Sequence, residues 1–306
     1  MKIKINHFCF VLWLAGCFPL QAQTDTLFLL KVIQLDSVVI SDTVSGFDIG
    51  SFIEMVEEDT TFYQAFRNLR QTTYTSTTDA RFFDKNGLVE ARYNNTARQI
   101  MQGRCRHMQV QQASTSGDFF DKHGEMEYFT ARLFAYIFLY ADTVCTSEAA
   151  VGSDHPSADS KMEKRKDQLK TLLFNPGQPV SGIPFVKNEL GIFEKKMLGY
   201  YDYAIDAVTY QHVPAYKFTI VKKADVKESK VVLQEMETWF NRSDFSIMAR
   251  NYHLRESNLV YDFDVTMKVV IQNTEALAIP TQIYYAGTWN IPGKKRETGN
   301  ISISIR

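Results

Sequence analysis

Cysteine is scarce in this chain, with four residues among 306. Cys9 and Cys17 lie within the first 22 residues, so removal of that segment would leave Cys105 and Cys145. No two cysteines have the Cys-x-x-Cys spacing, which argues against a reactive thiol. In an oxidising compartment the remaining two cysteines predict a disulfide, and two buried thiols are the alternative.

Net charge and long apolar runs are also lacking. The sequence has 34 Lys and Arg residues against 35 Asp and Glu residues, a formal net charge of −1. This balance provides no basic field for nucleic acid or an anionic membrane. Beyond residue 22 no apolar run reaches the roughly 18 residues that a transmembrane helix needs. The hydrophobic content of 45% nevertheless supports a sizeable core and argues against overall disorder.

Catalytic and metal-binding motifs are missing as well. The chain has no GxSxG elbow, no HExxH pair and no glycine-rich phosphate loop. Residues 118–125 contain acidic side chains, but Phe119 stands where a calcium loop needs its first acidic ligand. We therefore predict no enzymatic activity and no cofactor. A hydrolase with dispersed catalytic residues is an alternative, and it would need a buried histidine paired with a carboxylate, at His107, His212 or His253.

The first 22 residues have the organisation of a secretory signal peptide. Lys2 and Lys4 form a basic start, residues 8–14 are apolar but too short to cross a bilayer, and Ala22 is a small residue suited to cleavage. The protein is therefore predicted to be periplasmic or secreted. The sequence LAGC, which ends at Cys17, also matches a lipobox, so lipidation at Cys17 and attachment to the outer membrane is the alternative.

The remaining chain is predicted to form one domain. After the signal segment, residues 23–50 are a lead segment, and the domain covers residues 51–306. A stretch rich in Ser, Ala, Gly and Asp predicts an exposed loop at residues 146–160. The capping pattern that follows predicts an inserted helix at residues 161–174.

Helices are predicted near the start of the domain and again midway. Ser51 and Glu54 form the capping box of the first helix, and Asp59 or Thr60 caps the second. The second helix carries an apolar stripe with the spacing i, i+3, i+4 and i+7 that predicts packing on a core. The residues of this stripe are Phe62, Ala65, Phe66 and Leu69. Residues 125–140 are ambiguous, and we favour a helix in their second half.

From residue 72 onward the hydrophobic period changes to two. Residues 73–83 and 88–99 are predicted strands around a type I′ turn at Asn86-Gly87, and a third strand covers residues 104–112. The same alternation recurs in the C-terminal half, most clearly at residues 216–220, 259–271, 283–289 and 301–305.

Alternation of this kind predicts antiparallel strands with one buried face and one solvent-exposed face. Asp262 and Asp264 fall on the solvent-exposed face, so surface solvation explains them better than a catalytic carboxylate pair. Short spacings between the strands predict a meander. The expected fold class is α+β, with a large curved antiparallel sheet, an open half-barrel, packed on a few helices.

This pattern resembles the periplasmic lipoprotein-carrier superfamily, which includes the carrier LolA and the receptor LolB. Residues 239–250 (WFNRSDFSIMAR) are similar to the strand–turn–strand segment of that family. Residues 259–271 and 279–289 are similar to its next hairpins, and residues 52–83 match loosely. Secreted proteins of Bacteroidetes-type bacteria are also similar, especially around residues 59–63.

The resemblance implies that helices cover the concave side of the sheet and that acyl chains bind between the two layers. It implies an envelope protein that sequesters acyl chains or lipidated cargo, with a lipid or a lipoprotein as partner. An envelope assembly or protein-interaction module with a filled core is the alternative. The implied lining residues are Leu259, Tyr261, Phe263, Val265 and Met267 of the sheet, and Phe62, Phe66 and Leu69 of the helix.

Overall fold

The computed structural model describes most of the predicted domain. The predicted signal segment with Cys17, the loop at 146–160 and most of the predicted helix at 161–174 lie outside the described residues, as do Leu259 and Tyr261. The described residues are 38–40, 49–139, 143–145, 172–176, 191–193, 197–257, 262–274, 277–291 and 295–306.

Within these ranges the chain forms one large sheet and a small number of helices. The strands are β1 (Val38–Ile40), β2 (Tyr74–Phe83), β3 (Val89–Gln102), β4 (Cys105–Ser116), β5 (Val144–Cys145), β6 (Tyr201–Tyr210), β7 (Val213–Lys222), β8 (Leu233–Asn241), β9 (Ile247–Ser257), β10 (Asp262–Asn273), β11 (Ala278–Asn290) and β12 (Glu297–Ile305). The helices are α1 (Ile49–Glu58), α2 (Thr61–Leu69) and α3 (Phe129–Phe134), with a π-helix at Ala135–Leu139 and 3₁₀ turns at Leu198–Tyr200 and Glu228–Lys230.

The sheet is an antiparallel meander that does not close. Its strand order is β1-β6-β7-β8-β9-β10-β11-β12-β2-β3-β4-β5, and only the pairing of β1 with β6 is parallel. β12 returns to β2, with Ile303 opposite Thr78, so the last strand joins the two halves of the sheet. The predicted α+β open half-barrel and its meander are therefore confirmed.

Alternation along the strands separates a buried concave face from a solvent-exposed convex face. In β10, Phe263, Val265 and Met267 are buried, whereas Asp264 and Lys268 are exposed. β12 repeats the pattern with buried isoleucines at alternate positions. The helices and the chain around residues 172–174 bury the concave side in one continuous hydrophobic core.

Two local predictions were wrong. α1 already begins at Ile49, so Ser51 lies inside the helix and is not its N-cap. The β2–β3 hairpin does not use a type I′ turn, because Gly87 (φ 79°) has the left-handed conformation but Asn86 does not. The carboxylate of Asp84 instead accepts hydrogen bonds from the Asn86 and Leu88 N–H groups, at 2.8 and 2.9 Å, and closes a longer loop.

The close pairing of β12 with β2 makes a glycine necessary at residue 299. A Cβ atom there would lie 2.6 Å from Cδ1 of Phe82. Phe82 is fully buried and stacks on Tyr128 with ring centroids 3.8 Å apart, so it has no room to move. We expect Gly299→Ala to lower the free energy of unfolding by about 1–3 kcal/mol through overpacking, measured by urea denaturation.

Gly199→Ala is the matched control, because a Cβ atom at Gly199 would meet no atom within 4 Å. We expect this variant to unfold near the wild-type midpoint. Equal midpoints for Gly299→Ala and wild type would show that β2 and β12 are not in such close contact.

Candidate functional site

The predicted site is the concave face under its helical cover. Phe263, Val265 and Met267 alternate along β10, so all three point inward, and each is at most 2% exposed. Met267 Sδ lies 3.3 Å from the hydroxyl of Tyr252 on the neighbouring strand β9. Phe263 packs against Trp289 of β11, with ring centroids 4.7 Å apart.

The predicted helical stripe faces this surface. Thr60 is the N-cap residue of α2, and Asp59, one residue before it, accepts a hydrogen bond from the Thr61 N–H at 3.0 Å. Phe62 meets Tyr252 edge to face at 6.2 Å, and Phe66 lies 5.0 Å from the ring of Phe174. The burial predicted for Phe62, Phe66 and Leu69 is therefore confirmed.

The predicted lining residues that the structure describes belong to one hydrophobic core, but they lie at different places in it. Phe62 approaches Met267 through Tyr252, whereas Phe263 lies beside Trp289, whose ring also contacts Phe129 at 5.2 Å. Six of the eight residues lie within the described chain, and all six belong to the same hydrophobic core. Their role in ligand binding stays a prediction.

The described part of this interior is filled by the protein's own side chains. A cavity beside Val56, Asp59 and Arg250 has a volume of about 10 Å³, room for roughly one water molecule. A bound acyl chain would therefore have to take the place of part of the cover.

The two ends of α2 are attached to the sheet by different kinds of contact. At the C-terminal end, the Asn68 amide donates to the Ala278 carbonyl and the Gln99 amide donates to the Leu69 carbonyl, both at 2.9 Å. At the N-terminal end, Arg250 of β9 reaches Asp59 with a longer N–O distance of 3.8 Å.

Arg250 is a charged residue in an apolar interior. Its Nε donates to the Thr238 hydroxyl at 2.9 Å, and its guanidinium lies 4.5 Å from the centroid of the Phe62 ring. Burial lowers the pKa of Arg250, and the charge of Asp59 opposes that change. Removing two charges from water is costly, so this pair ties the cover to the sheet without strongly stabilising the fold.

A second buried carboxylate anchors the helix α3. Glu297 of β12 accepts hydrogen bonds from the N–H groups of Phe129 and Thr130, each at 2.7 Å, and from the Thr130 hydroxyl. These donors are unpaired within the helix, so Glu297 serves as their cap from the sheet. Burial raises the pKa of Glu297 above its ordinary value of 4.5, although the hydrogen bonds from Thr130 and Phe129 and the charge of Arg132 oppose the change.

A polar patch interrupts the concave face at β2 and β3. Thr78 and Asn95 are opposite each other in the strand register, and Ser76 lies two residues away on the same face. All three are buried, and the side-chain oxygens of Ser76, Thr78 and Asn95 have no hydrogen-bond partner in the described structure. Buried polar atoms in native proteins are nearly always paired with protein, water or ligand.

The other predicted sites lie away from this interior. The sulfur atoms of Cys105 and Cys145 lie at bonding distance, 2.00 Å, and this pair attaches β5 to β4. His253 Nε2 lies 2.7 Å from Asp264 Oδ1, but both side chains are on the solvent-exposed convex face. The pair therefore lacks the burial that a dispersed catalytic site would need.

The described ranges carry neither a metal-binding cluster nor a membrane-spanning helix. No group of three or more His, Cys, Asp or Glu side chains comes close enough there to hold a metal ion. None of the helices in the described ranges combines the length and apolar character that crossing a membrane requires. The acidic stretch at 118–125 forms a hairpin turn in which Asp121 accepts hydrogen bonds from the His123 and Glu125 N–H groups.

Sequence reasoning missed Arg250 and Glu297, although both carried a signal. Arg250 is in phase with the inward-facing Tyr252 and Leu254, and Glu297 is in phase with Ile301 and Ile303. A charged residue in the buried phase of an alternating strand predicts a paired charge or a helix cap inside the protein.

We expect Arg250→Met alone to lower the free energy of unfolding by about 3–5 kcal/mol, because Asp59 would stay buried without its partner. The double variant Arg250→Met with Asp59→Asn removes both charges and keeps an acceptor for the Thr61 N–H, so most of the loss should be recovered. Urea denaturation of both variants measures this. A double variant no more stable than Arg250→Met would mean that the charge of Asp59 is not paired with Arg250.

The raised pKa of Glu297 gives stability a defined pH dependence. The folded protein binds this proton more tightly than the unfolded chain, so the contribution of Glu297 is full below its ordinary pKa. It is lost as the pH rises through the raised pKa of the folded state. We expect the stability of wild type relative to Glu297→Gln, which cannot titrate, to fall as the pH rises above about 4.5. A pH-independent difference would contradict the raised pKa.

No protein-family model matches this sequence, and no curated protein matches it. Solved structures give low-scoring similarities. A DUF1329 family protein from Desulfovibrio piger is 9% identical, over 80% of this chain and 90% of that chain, with a TM-score of 0.22. A putative outer membrane lipoprotein-sorting protein domain from Vibrio parahaemolyticus is 6% identical, over 80% and 88%, with a TM-score of 0.26.

A LolA superfamily protein from Nitrosomonas europaea is 11% identical, over 79% of this chain and 90% of that chain, with a TM-score of 0.23. The descriptions of this structure and of the Vibrio domain agree with the resemblance recognised in the sequence.

Proposed function

We propose that this protein binds acyl chains or lipidated cargo between the concave face of its open sheet and the helices that cover it. The supporting observation is the construction of the interior. Within the described chain, a wide apolar sheet face is covered by short separate helices and not by a second sheet. Such a cover can be replaced by another apolar layer without breaking the strand pairing.

The proposed binding is driven by the transfer of the acyl chain from water into the apolar interior, where it replaces part of the helical cover. Each methylene group moved from water into an apolar interior contributes about 0.8 kcal/mol, so ten methylenes contribute about 8 kcal/mol. This gain offsets the loss of the contacts that Phe62 and Phe66 make with the sheet and with residues 172–174. The binding involves no covalent chemistry.

The two ends of α2 have different roles in this proposal. The hydrogen bonds of Asn68 and Gln99 to backbone carbonyls hold the C-terminal end as a pivot. The longer Asp59–Arg250 contact holds the N-terminal end as a latch, which opens when water or a polar ligand group solvates the two charges. The ligand chain then occupies the space left by Phe62 beside Tyr252 and Met267.

The buried polar patch supports a ligand with a polar portion. Ser76 and Thr78 provide hydroxyl donors, and Asn95 provides a carbonyl acceptor, all on the concave face. An amide linkage at the end of an acyl chain would satisfy these groups, because its carbonyl oxygen accepts from a hydroxyl and its N–H donates to Asn95. An ester linkage would pair only with the hydroxyls, and a plain hydrocarbon would pair with none of them. The predicted signal segment supports a function in the periplasm or at the outer membrane.

Native mass spectrometry of the protein purified from its envelope, followed by solvent extraction, tests the proposal first. We expect a stoichiometric acyl species. The delipidated protein is then titrated with a dansyl-labelled fatty acid, and the latch variant Arg250→Met with Asp59→Asn should bind about tenfold more tightly, equivalent to about 1.4 kcal/mol. Hydrogen exchange should show that the ligand exposes α1 and the start of α2 while β9–β11 stay protected.

The matched control is Lys217→Met with Glu237→Gln, which removes an ion pair of 3.2 Å on the convex face. This control should bind the probe as wild type does. Absence of an acyl species, together with no probe uptake by either wild type or the latch variant, would refute acyl binding.

A second candidate function is favoured by the filled interior. The described lining residues are almost completely buried by the protein's own helices, which is how a core without a ligand would look. An envelope assembly or protein-interaction module would then use the outer surface of this fold. A clean apo mass in the same experiment would favour this function.

A further inference from the structure

One edge of the sheet presents a long unpaired strand. β5 pairs with β4 only at Cys105 and Arg106. Beyond that point residues 107–116 of β4 are hydrogen-bonded to β3, and no other strand in the described chain pairs with them. Every second residue of this stretch therefore directs its N–H and C=O groups away from the sheet.

The edge is also uncovered on both faces. Residues 109–116 are eight consecutive exposed positions, although their neighbours on β3 are buried at every second position. Ala113 and Thr115 lie opposite Asn95 and Tyr93, so they belong to the concave face, where the core stops at β3. Val110 is 46% exposed.

Natural sheets protect such edges with charged residues, proline or a bulge. Residues 107–116 (HMQVQQASTS) contain no Asp, Glu, Lys, Arg or Pro. A shift in the register with β3 makes Gln111 an extra residue, so a bulge limits the regular edge to residues 112–116. Those five residues (QASTS) are small or neutral and have hydrogen-bonding side chains.

We infer that residues 112–116 of β4 are an interface with a second copy of this chain, in which the two β4 strands pair antiparallel across a two-fold axis at Ser114. Self-pairing brings no like charges together, because the segment has none. It places Gln112 opposite Ser116 of the partner strand and Ala113 opposite Thr115, pairs that hydrogen-bond or pack without a clash. The contact is isologous, so it closes as a dimer and does not propagate.

A single cysteine tests the register. Directly opposite residues in an antiparallel pair have Cα atoms about 4.5–5.5 Å apart, within the range that a disulfide spans. We expect Ser114→Cys to form a disulfide-linked dimer under mild oxidation. Ser302→Cys is the matched control, because Ser302 is exposed on the central strand β12, and it should stay monomeric.

Sedimentation velocity of the untreated protein, from micromolar to submillimolar concentration, tests the dimer itself. The mass of wild type should rise towards twofold with concentration, as should that of Ser302→Lys. Ser114→Lys places two like charges on the axis and should remain monomeric while unfolding at the wild-type midpoint. A wild type that is monomeric throughout, or a dimer that survives Ser114→Lys, would overturn the inference, and a partner other than this chain would give the first of these results.

Discussion

The apolar face of a sheet that does not close on itself has to be covered by another layer, because water would otherwise contact every inward-facing side chain. In this protein the requirement falls on short helices and on a few residues from distant parts of the chain. Phe62 and Phe66 of α2 and Phe174 meet over the middle of the sheet. The core, the position of the helices and the proposed ligand site all follow from this single requirement.

Because the cover is made of separate pieces, its attachment to the sheet depends on individual polar contacts. Glu297 caps α3 from β12, and Asn68 and Gln99 fix the end of α2. The contact of Asp59 with Arg250 differs from these, since both partners are charged, buried and 3.8 Å apart. It is therefore the place where solvation by a ligand or by water would change the balance between a closed and an open cover.

An open sheet also has two edges, and the protein treats them differently. At one edge the parallel strand β1 pairs with β6 over three residues. At the other edge, within the described part of the chain, β5 pairs only with the beginning of β4 and is attached there through Cys105 and Cys145. The remainder of β4 lacks the charges that usually prevent strand addition, and the dimer contact inferred there would be separate from the apolar interior.

Much of the fold could be predicted because strand and helix periods are local properties of the sequence. The alternation of Phe263, Val265 and Met267, and the stripe of Phe62, Phe66 and Leu69, indicate which face of each element is buried. The position of the hairpin turn at Asp84 was predicted correctly, but its turn type was not. The turn type depends on which backbone N–H groups the Asp84 carboxylate reaches.

Long-range pairing could not be predicted in the same way. The sequence by itself determined the alternating strands, the amphipathic helix α2 and the open α+β architecture. Only the tertiary structure decided that β12 returns to β2, that Arg250 meets Asp59, that Glu297 caps α3 and that, among the described strands, β5 pairs with β4 only at Cys105 and Arg106. These contacts join residues far apart in the chain, and their formation depends on how all the strands register at once, which no local period encodes.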